Sequence, residues 1–435
     1  MLSGVHKRSS ARRPPSRRGL LALLLLAILL AGVLASGCGS SLRGKVDGDD
    51  ARADIDDSPH SSCATTVLGA LGSVAQRVYA EGVQSERTAS ALKMIESSSA
   101  LREAVEAGDV PGARRAAKAL IATGHLTDLR VVRGAGSPLI DLGGPALAPL
   151  RGTLAGADGK PIASFVTSVW ADGGLIAETN GIAEASTVLQ SGTHQLGGEF
   201  TLPAGQLPPQ GTLTREGVAY QYTSFAAGAY PDGAPVRVYL LRSISSIEPL
   251  CGTSEEDTVT STLSRIARLI YQAEAGQRTL TQIHRVQRNG ALLQAVVHRD
   301  PAAARTAVKA LLHHHIVRLR VSAAGKLLSD VGGPFVLAPV QAPLKLHGRP
   351  IGSFVLSIQD DEGYKRLANR LAGLDVLMYM GTRLVKSTIG FSPGPVPRSG
   401  PFSYRGKNYR AFTFDAKAFP SGPLRITTLI PIPYS

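Results

Sequence analysis

The sequence of 435 residues has few of the residues on which several classes of function depend. Aromatic residues make up 5% and tryptophan occurs once, which argues against sugar-binding modules and single-strand nucleic-acid grooves, since both stack ligands on aromatic faces. Three cysteines are too few for a disulfide-dense scaffold. A P-loop, a His-Glu-x-x-His pair, a Cys-x-x-Cys pair and a nucleophile elbow are also missing from the sequence. We therefore expect a folded protein that is not an enzyme and that uses no cofactor and no metal.

The excess of basic residues is concentrated at the N-terminus. The formal net charge is +14, and residues 1–37 contain six Lys and Arg and no acid. Residues 38–435 therefore carry +8. Nearly half of the excess thus belongs to the N-terminal segment, so the bulk charge predicts neither a nucleic acid nor another polyanion as partner.

An apolar run at Leu20–Leu34 follows these basic residues. It is shorter than the roughly 20 residues of a membrane span and has the length of a signal-peptide core. It ends in Leu34-Ala35-Ser36-Gly37-Cys38, which resembles a bacterial lipobox. The resemblance implies that residues 1–37 are removed and that Cys38 carries a lipid. An ordinary signal peptide or an uncleaved anchor is the alternative.

Two export routes remain open, because Ser16-Arg17-Arg18 also resembles a twin-arginine signal. Export by Sec or Tat would place the chain on the outer face of the bacterial cytoplasmic membrane. Residues 38–62 are polar and acidic, and we expect them to form a disordered tether between the lipid and the folded chain.

The rest of the sequence contains one unit twice, at an offset of 189 residues. The matching segments are Asp141–Pro145 with Asp330–Pro334, Pro161–Val169 with Pro350–Ile358, and Tyr230–Gly233 with Phe419–Gly422. Ordered matches at a constant offset predict two homologous domains, 63–248 and 251–435. In each copy, helical patterns come first and alternating strand patterns follow, which predicts an α+β fold with a long N-terminal helix and a central antiparallel sheet.

The segment Gly348–Asp361, the helix through Asn369 and the strand that begins at Asp375 resemble a Cache domain. Cache domains are PAS-like extracytoplasmic sensor modules of bacteria. The resemblance covers both copies and implies two tandem PAS/Cache-like domains. It also implies a small-molecule ligand between the sheet and its covering loops.

Period-2 alternation in the long strand of each copy predicts which side chains face such a ligand. One face of this strand is small and partly polar, as a ligand-lining wall would be. Arginines at equivalent places on the first strand are candidates for holding an anion, although exposure or a salt bridge explains them equally well. The candidate ligand-binding residues are Arg130, Ser164, Ser168, Trp170, Arg320, Ser353, Ser357 and Gln359.

Three other patterns favour a structural role over chemistry. Asp141 and Asp330 lie beside Gly-Gly-Pro, where we expect them to cap a turn. Ser90-Ala-Leu-Lys93 has the spacing of acyl-transfer enzymes but lacks their partner motifs. Consecutive histidines at 313–315 point in different directions on a helix, so a solvated helix end is the preferred interpretation over a metal site.

Cys63 and Cys251 each open a repeat, in a compartment that permits disulfides. A bridge between them would fix the relative orientation of the two repeats. Two separate thiols remain the alternative, because a disulfide requires Cα atoms within about 7 Å.

The sequence predicts a lipid-anchored extracytoplasmic sensor that binds a small molecule and passes a signal through a membrane signalling partner. The alternative is a non-catalytic scaffold or accessory lipoprotein of the cell envelope that binds no ligand. An envelope enzyme is a third hypothesis, which the missing motifs disfavour.

Overall fold

The computed structural model describes residues 59–134, 136–273, 277–312, 316–390 and 393–433. The proposed signal peptide, Cys38 and the histidines at 313–315 lie outside the described residues. No helix among the described residues is both long enough and apolar enough to cross a membrane.

Repeat 1 opens with four helices. Helix α1 (Pro59–Gln84) buries a stripe of apolar side chains at helical spacing, including Val67, Leu71, Val74 and Val78. The three shorter helices are α2 (Glu86–Glu96), α3 (Ser99–Ala107) and α4 (Val110–Ile121). Helix α1 starts at Pro59, inside the segment 38–62 that the sequence predicts as a tether. Proline is well tolerated in the first turn of a helix, so Pro59 is compatible with this start.

The first sheet of repeat 1 contains four antiparallel strands in the order β2-β1-β5-β4. These strands are β1 (Asp128–Val132), β2 (Pro138–Leu142), β4 (Leu150–Ala155) and β5 (Pro161–Ser168). One face packs on α3 and α4 around a core that includes Leu101, Val105, Leu129, Val131 and Phe165. The strand pair β3 (Ala146–Leu147) and β6 (Trp170–Ala171) leads out of this sheet.

Helix α5 (Asp172–Ala183) then connects to a second antiparallel sheet of order β8-β7-β11-β10-β9. Its strands are β7 (Ser186–Ser191), β8 (His194–Gly197), β9 (Gln210–Arg215), β10 (Val218–Gly228) and β11 (Pro235–Ser243). The short helix α6 (Ile244–Ile247) and one turn of 3₁₀ helix lead to repeat 2.

Repeat 2 follows the same order of elements. Its helices are α7 (Glu255–Ala273), α8 (Gln277–Gln287), α9 (Gly290–Val297), α10 (Pro301–Leu312) and α11 (Asp361–Ala372). Its first sheet has the order β13-β12-β16-β15, with β12 (Arg318–Ala323), β13 (Lys326–Gly332), β15 (Val340–Leu346) and β16 (Arg349–Ser357). Its second sheet is formed by β14 (Val336–Leu337), β17 (Gln359–Asp360), β18 (Asp375–Met380), β19 (Arg383–Ser387), β20 (Ser399–Tyr404), β21 (Lys407–Ala418) and β22 (Gly422–Ile432).

The fold is α+β, as the sequence predicts, but each repeat contains two large antiparallel sheets instead of one. Both first sheets have their own hydrophobic cores, which contain no residues of the other repeat. The second sheets lie beside the long helices. One continuous core joins α1, α5, α7 and α11 with both second sheets, so the two repeats share a central body.

A disulfide joins Cys63 and Cys251, whose Cα atoms lie 5.7 Å apart. Cys63 lies in the second turn of α1 and Cys251 lies just before α7, so the two long helices begin side by side. Ion pairs between Glu81 and Arg370, and between Glu184 and Arg265, add polar contacts between the repeats.

Candidate functional site

Four side chains form a row across the first sheet of repeat 1. Arg130 on β1 is paired in register with Asp141 on β2 and with Val166 on β5, and Val166 is paired with Arg151 on β4. Residues directly opposite one another on antiparallel strands project on the same face. This row faces away from the core that packs on α3 and α4, so charged groups line the open face of the sheet.

The hairpin between β10 and β11 covers this row. The Tyr230 hydroxyl donates a hydrogen bond to the Val166 carbonyl at 3.4 Å, and the Arg151 guanidinium donates to the carbonyls of Pro231 and Asp232. Between the hairpin and the sheet lies a cleft of about 280 Å³. The cleft is lined by Asp128, Arg130, Asp141, Leu142, Gly143, Gly144, Tyr230 and Pro231.

The guanidinium of Arg130 is already engaged by carboxylates. Its Nε and Nη2 atoms donate to the Asp141 carboxylate at 3.0 and 2.6 Å, and Nη1 lies 3.7 Å from a carboxylate oxygen of Asp232. The hydrogen bond to Asp141 raises the pKa of Arg130. Arg130 therefore belongs to the cleft, but it is held in the ion pair that the sequence left open as the alternative to anion binding.

Asp128 lies in the wall of the cleft with only 1% of its surface exposed. One carboxylate oxygen accepts a hydrogen bond from the Gly144 N–H at 2.7 Å, while Oδ2 has no hydrogen-bond partner among the described residues. Burial raises the pKa of Asp128, although the nearby Thr127 side chain and the Gly144 N–H oppose that shift. A buried carboxylate oxygen without a partner carries a desolvation cost that a bound donor would remove.

The backbone around Asp128 depends on glycine. Gly143 has a φ of 125°, and a Cβ atom at this position would lie 1.8 Å from the Asp128 carboxylate. Only glycine fits such a position. The Gly-Gly-Pro corner thus brings the Gly144 N–H against Asp128. Asp141 and Asp330 were expected to cap this turn, but they form ion pairs with arginines, and in repeat 1 the capping carboxylate is Asp128.

A second buried carboxylate lies close to the cleft. Asp172 is the first residue of α5 and is 9% exposed, and its Oδ1 has no hydrogen-bond partner among the described residues. Burial raises the pKa of Asp172 to about 6, and the charge of Asp128 adds to the shift. Repeat 1 therefore holds two coupled carboxylates near this end of the first sheet.

Repeat 2 has no uncompensated carboxylate at the positions equivalent to Asp128 and Asp172. Arg318 occupies the place of Asp128, donates to Asp330 at 2.8 and 3.0 Å, and lies over the Phe419 ring. Asp361 occupies the place of Asp172 and pairs with Lys386 at 2.8 Å. The uncompensated carboxylates are thus a property of repeat 1.

The remaining ligand candidates lie elsewhere. Ser168 and Ser357 are buried, and their hydroxyls bond to the carbonyls of Leu147 and Leu337 and to the backbone two residues further on, so they stabilise the strand ends. Neither serine lines the cleft described above, and backbone groups already use their hydrogen-bonding capacity.

Trp170 is buried, and a Cβ at Gly82 of α1 would clash with its ring. Gln359 is also buried, and its amide atoms have no partner among the described residues. Ser164 is exposed near the far end of β5, while Ser353 and Arg320 are partly exposed in repeat 2. None of these five lines the cleft described above.

Four residues at the cleft or near it escaped the sequence reasoning: Asp128, Arg151, Asp172 and Tyr230. Tyr230 lies in one of the segments that recur at the offset of 189, so the repeat itself contained a signal for it. No cluster of three or more metal-ligating side chains occurs in the described part of the chain. Ser90 donates its hydroxyl to the Glu86 carbonyl within α2.

No family model matches the sequence, and no curated protein matches it. Two similar solved structures are an extracellular ligand-binding receptor from Desulfohalobium retbaense and the ligand-binding domain of the Pseudomonas fluorescens chemoreceptor CtaA in complex with L-alanine. The first is 13% identical over 43% of this chain and 40% of its own length, with a TM-score of 0.24. The second is 15% identical over 38% of this chain and 97% of its own length, with a TM-score of 0.21. At these scores the similarities identify neither a ligand nor a function for this chain.

Proposed function

We propose that this protein is an extracytoplasmic sensor or binding protein that takes a small molecule into the cleft of repeat 1. The observation that carries the proposal is the Asp128 carboxylate, which lies in the cleft wall and has one oxygen without a hydrogen-bond partner among the described residues. A concave site with a few convergent polar groups is the usual form of a small-molecule site.

The charges around the cleft favour a ligand with a cationic group. Arg130 is occupied by Asp141 and Asp232, so an anionic ligand would have to displace one of these carboxylates. Asp128 needs no such exchange, because no cation pairs with it among the described residues, and an ammonium group that reached the buried carboxylate would donate to Oδ2 and offset its charge. A small ammonium compound is therefore the proposed ligand class.

Anchoring and signalling complete the proposal. A lipid on Cys38 would hold the chain at the outer face of the cytoplasmic membrane after export by Sec or Tat, and a membrane protein would receive the signal. Replacing Cys38 by Ser should move the protein from the membrane fraction to the soluble fraction. Retention of the variant in the membrane would contradict the anchor.

A scaffold without ligand binding is the second candidate, and one observation in repeat 2 favours it. Arg318 fills the position of Asp128, is held by Asp330 and is stacked on Phe419, so this part of repeat 2 is already neutralised from within. This observation concerns repeat 2 alone. We therefore propose a structural role for this part of repeat 2 and ligand binding for repeat 1, and we propose no catalytic step in either.

Thermal unfolding with three probes of equal size tests the ligand class. Butylamine is a cation at neutral pH, butanol is neutral and butyrate is an anion. We expect butylamine to raise the Tm of the full chain in neutral detergent micelles, because a ligand that binds only the folded state stabilises it. Butanol and butyrate should leave the Tm unchanged. A shift with butyrate alone would contradict the charge assignment, and the absence of a shift with all three would favour the scaffold.

A further inference from the structure

The positive charge of the exported chain is concentrated in one structural unit. Residues 277–357, which form α8 to α10 and the first sheet of repeat 2, contain eleven Lys and Arg but only two Asp and Glu. The formal charge of this unit is +9, so the rest of the chain from residue 38 onward carries −1. The equivalent unit of repeat 1, residues 86–168, contains ten basic and eight acidic residues. Repeat 2 thus has a strongly basic unit that repeat 1 lacks.

Four of these cations lie at one end of the first sheet of repeat 2; three are on the sheet and the fourth is on the adjacent helix end. Lys326 follows the turn between β12 and β13, and Lys345 and Arg349 flank the turn between β15 and β16. The pairing of Ser322 with Ser353 places both turns at the same end of the sheet. We call this end the basic tip.

Helix α9 ends at the basic tip and adds Arg299. A Cβ atom at Gly352, next to Ser353, would lie 3.1 Å from the Val296 side chain in the last turn of α9. Arg299 follows this helix end and is exposed, as are Lys326, Lys345 and Arg349. No ion pair to any of these four cations is found in the described ranges. The nearest acid in the sequence, Asp300, accepts hydrogen bonds from the first N–H groups of α10.

The basic tip lies away from the disulfide end of the molecule. Helix α7 separates Cys251 from this unit, and its 19 residues span about 28 Å. At the opposite end of the sheet, Arg318 and Ser357 adjoin the central body through Asp330, Phe419 and Leu337. The basic tip therefore lies away from the start of α1, the end of the folded part to which the proposed anchor connects.

We propose that the basic tip binds a flexible phosphodiester polymer of the cell envelope. Unpaired Lys and Arg side chains attract phosphate strongly, and such a polymer carries a charge on every repeating unit. The cations sit on two hairpins and a helix end instead of along one groove, which suits a flexible chain better than a rigid duplex. Exposed His298 and His347 lie beside these cations, but no exposed Phe, Tyr or Trp is found among them in the described residues, so the large aromatic platforms of a base-stacking groove are not part of this surface.

Binding of poly(glycerol phosphate) to the full chain in neutral detergent micelles tests this proposal. We expect binding at 0.1 M salt and its loss at 1 M, because the screening length falls from about 10 Å to about 3 Å. The variant Lys326→Gln, Lys345→Gln, Arg349→Gln should bind about tenfold more weakly or worse. The control variant Arg114→Gln, Arg115→Gln, Lys118→Gln loses the same charge from exposed positions of α4 and should bind within about twofold of the parent protein.

Three results would overturn the proposal. Equal weakening by both variants would mean that net charge, and not the basic tip, attracts the polymer. Tighter binding of double-stranded DNA or of phosphatidylglycerol vesicles than of poly(glycerol phosphate) would assign the tip to another polyanion. Absence of binding at 0.1 M salt would leave the tip as a solvated basic surface.

Discussion

At the residue scale, the two repeats differ most where a ligand would bind. Sequence comparison of the copies selects positions that recur, and it therefore drew attention to Arg130 and Arg320. Asp128 is the more informative residue, yet its counterpart is Arg318, so a search for shared residues passes over it. The differences between the repeats, once aligned by strand register, identify the candidate site better than their similarities do.

Asp172 gives repeat 1 a stability that depends on pH. Burial raises the pKa of Asp172 to about 6, above its value in the unfolded chain. The folded state therefore favours the protonated carboxyl, and stability is lost as pH rises through 6. We expect Asp172→Asn to remove this loss, so that relative to the variant the parent protein loses roughly 3 kcal/mol of unfolding free energy between pH 4 and pH 8. Chemical denaturation at both pH values measures the difference.

Asp361 supplies the matched control for this substitution. It occupies the equivalent position of repeat 2, but its carboxylate pairs with Lys386. Asp361→Asn should therefore lower the unfolding free energy at pH 8, because Lys386 loses the closer of its two carboxylate partners and keeps only Glu362 at 3.4 Å. Equal effects of the two substitutions at pH 8 would mean that Asp172 is not an uncompensated buried charge.

At the element scale, periodicity predicted the kinds of helix and strand but not which strands pair. The long helix at the start of each repeat follows directly from its apolar stripe. In β16 the alternation is confirmed by burial of Phe354 and Leu356 on either side of the half-buried Val355, whereas in β5 every residue from Phe165 to Ser168 is buried. Alternation alone cannot distinguish one sheet from two, because it reports burial on one face and not the pairing partner. The second sheet of each repeat was therefore merged with the first in the sequence-based prediction.

The polar face of β5 shows a related limit of prediction from the sequence pattern. Small polar residues on a strand suggested a ligand wall, but Ser168 is enclosed where β3 crosses the end of β5 and bonds to the Leu147 carbonyl. A hydroxyl that satisfies a buried backbone group has the same sequence pattern as one that binds a ligand. Only the position of the neighbouring strand separates the two roles.

The packing of α1 on Trp170 gives a testable contrast between two glycines of one helix. A Cβ at Gly82 would lie 2.1 Å from the Trp170 ring, whereas nothing lies within 4 Å of a Cβ at Gly69. Gly82→Ala should lower the Tm, since overpacking costs about 1–3 kcal/mol and outweighs the gain in helix propensity. Gly69→Ala should raise the unfolding free energy by about 0.5–1 kcal/mol.

Thermal unfolding measures both glycine variants, and the fluorescence of Trp170 reports the local change because the sequence contains no other tryptophan. Stabilisation by both substitutions, without a change in Trp170 emission, would mean that α1 does not pack closely on this ring.

At the scale of the whole molecule, the two repeats share one hydrophobic core but differ in the distribution of their charged residues. A continuous core and the disulfide between Cys63 and Cys251 hold the repeats together. Repeat 1 retains carboxylates without cations at its cleft, while the first-sheet unit of repeat 2 carries +9, more than the net charge of residues 38–435 as a whole. The bulk count of charged residues could not reveal this division, because it averages a basic unit with a nearly neutral remainder.

The proposed function assigns ligand binding to one cleft and one carboxylate, so the affinity of a cation for the full chain tests it most directly. Calorimetric titration with butylamine should give about ten- to a hundredfold weaker binding to Asp128→Asn than to the parent protein, because the substitution removes a charged hydrogen-bond acceptor. Asp158→Asn, which removes an exposed carboxylate at the opposite end of the same sheet, should leave the affinity unchanged. Equal affinities for all three proteins, or no binding to any of them, would contradict the assignment of Asp128 as the ligand-binding group.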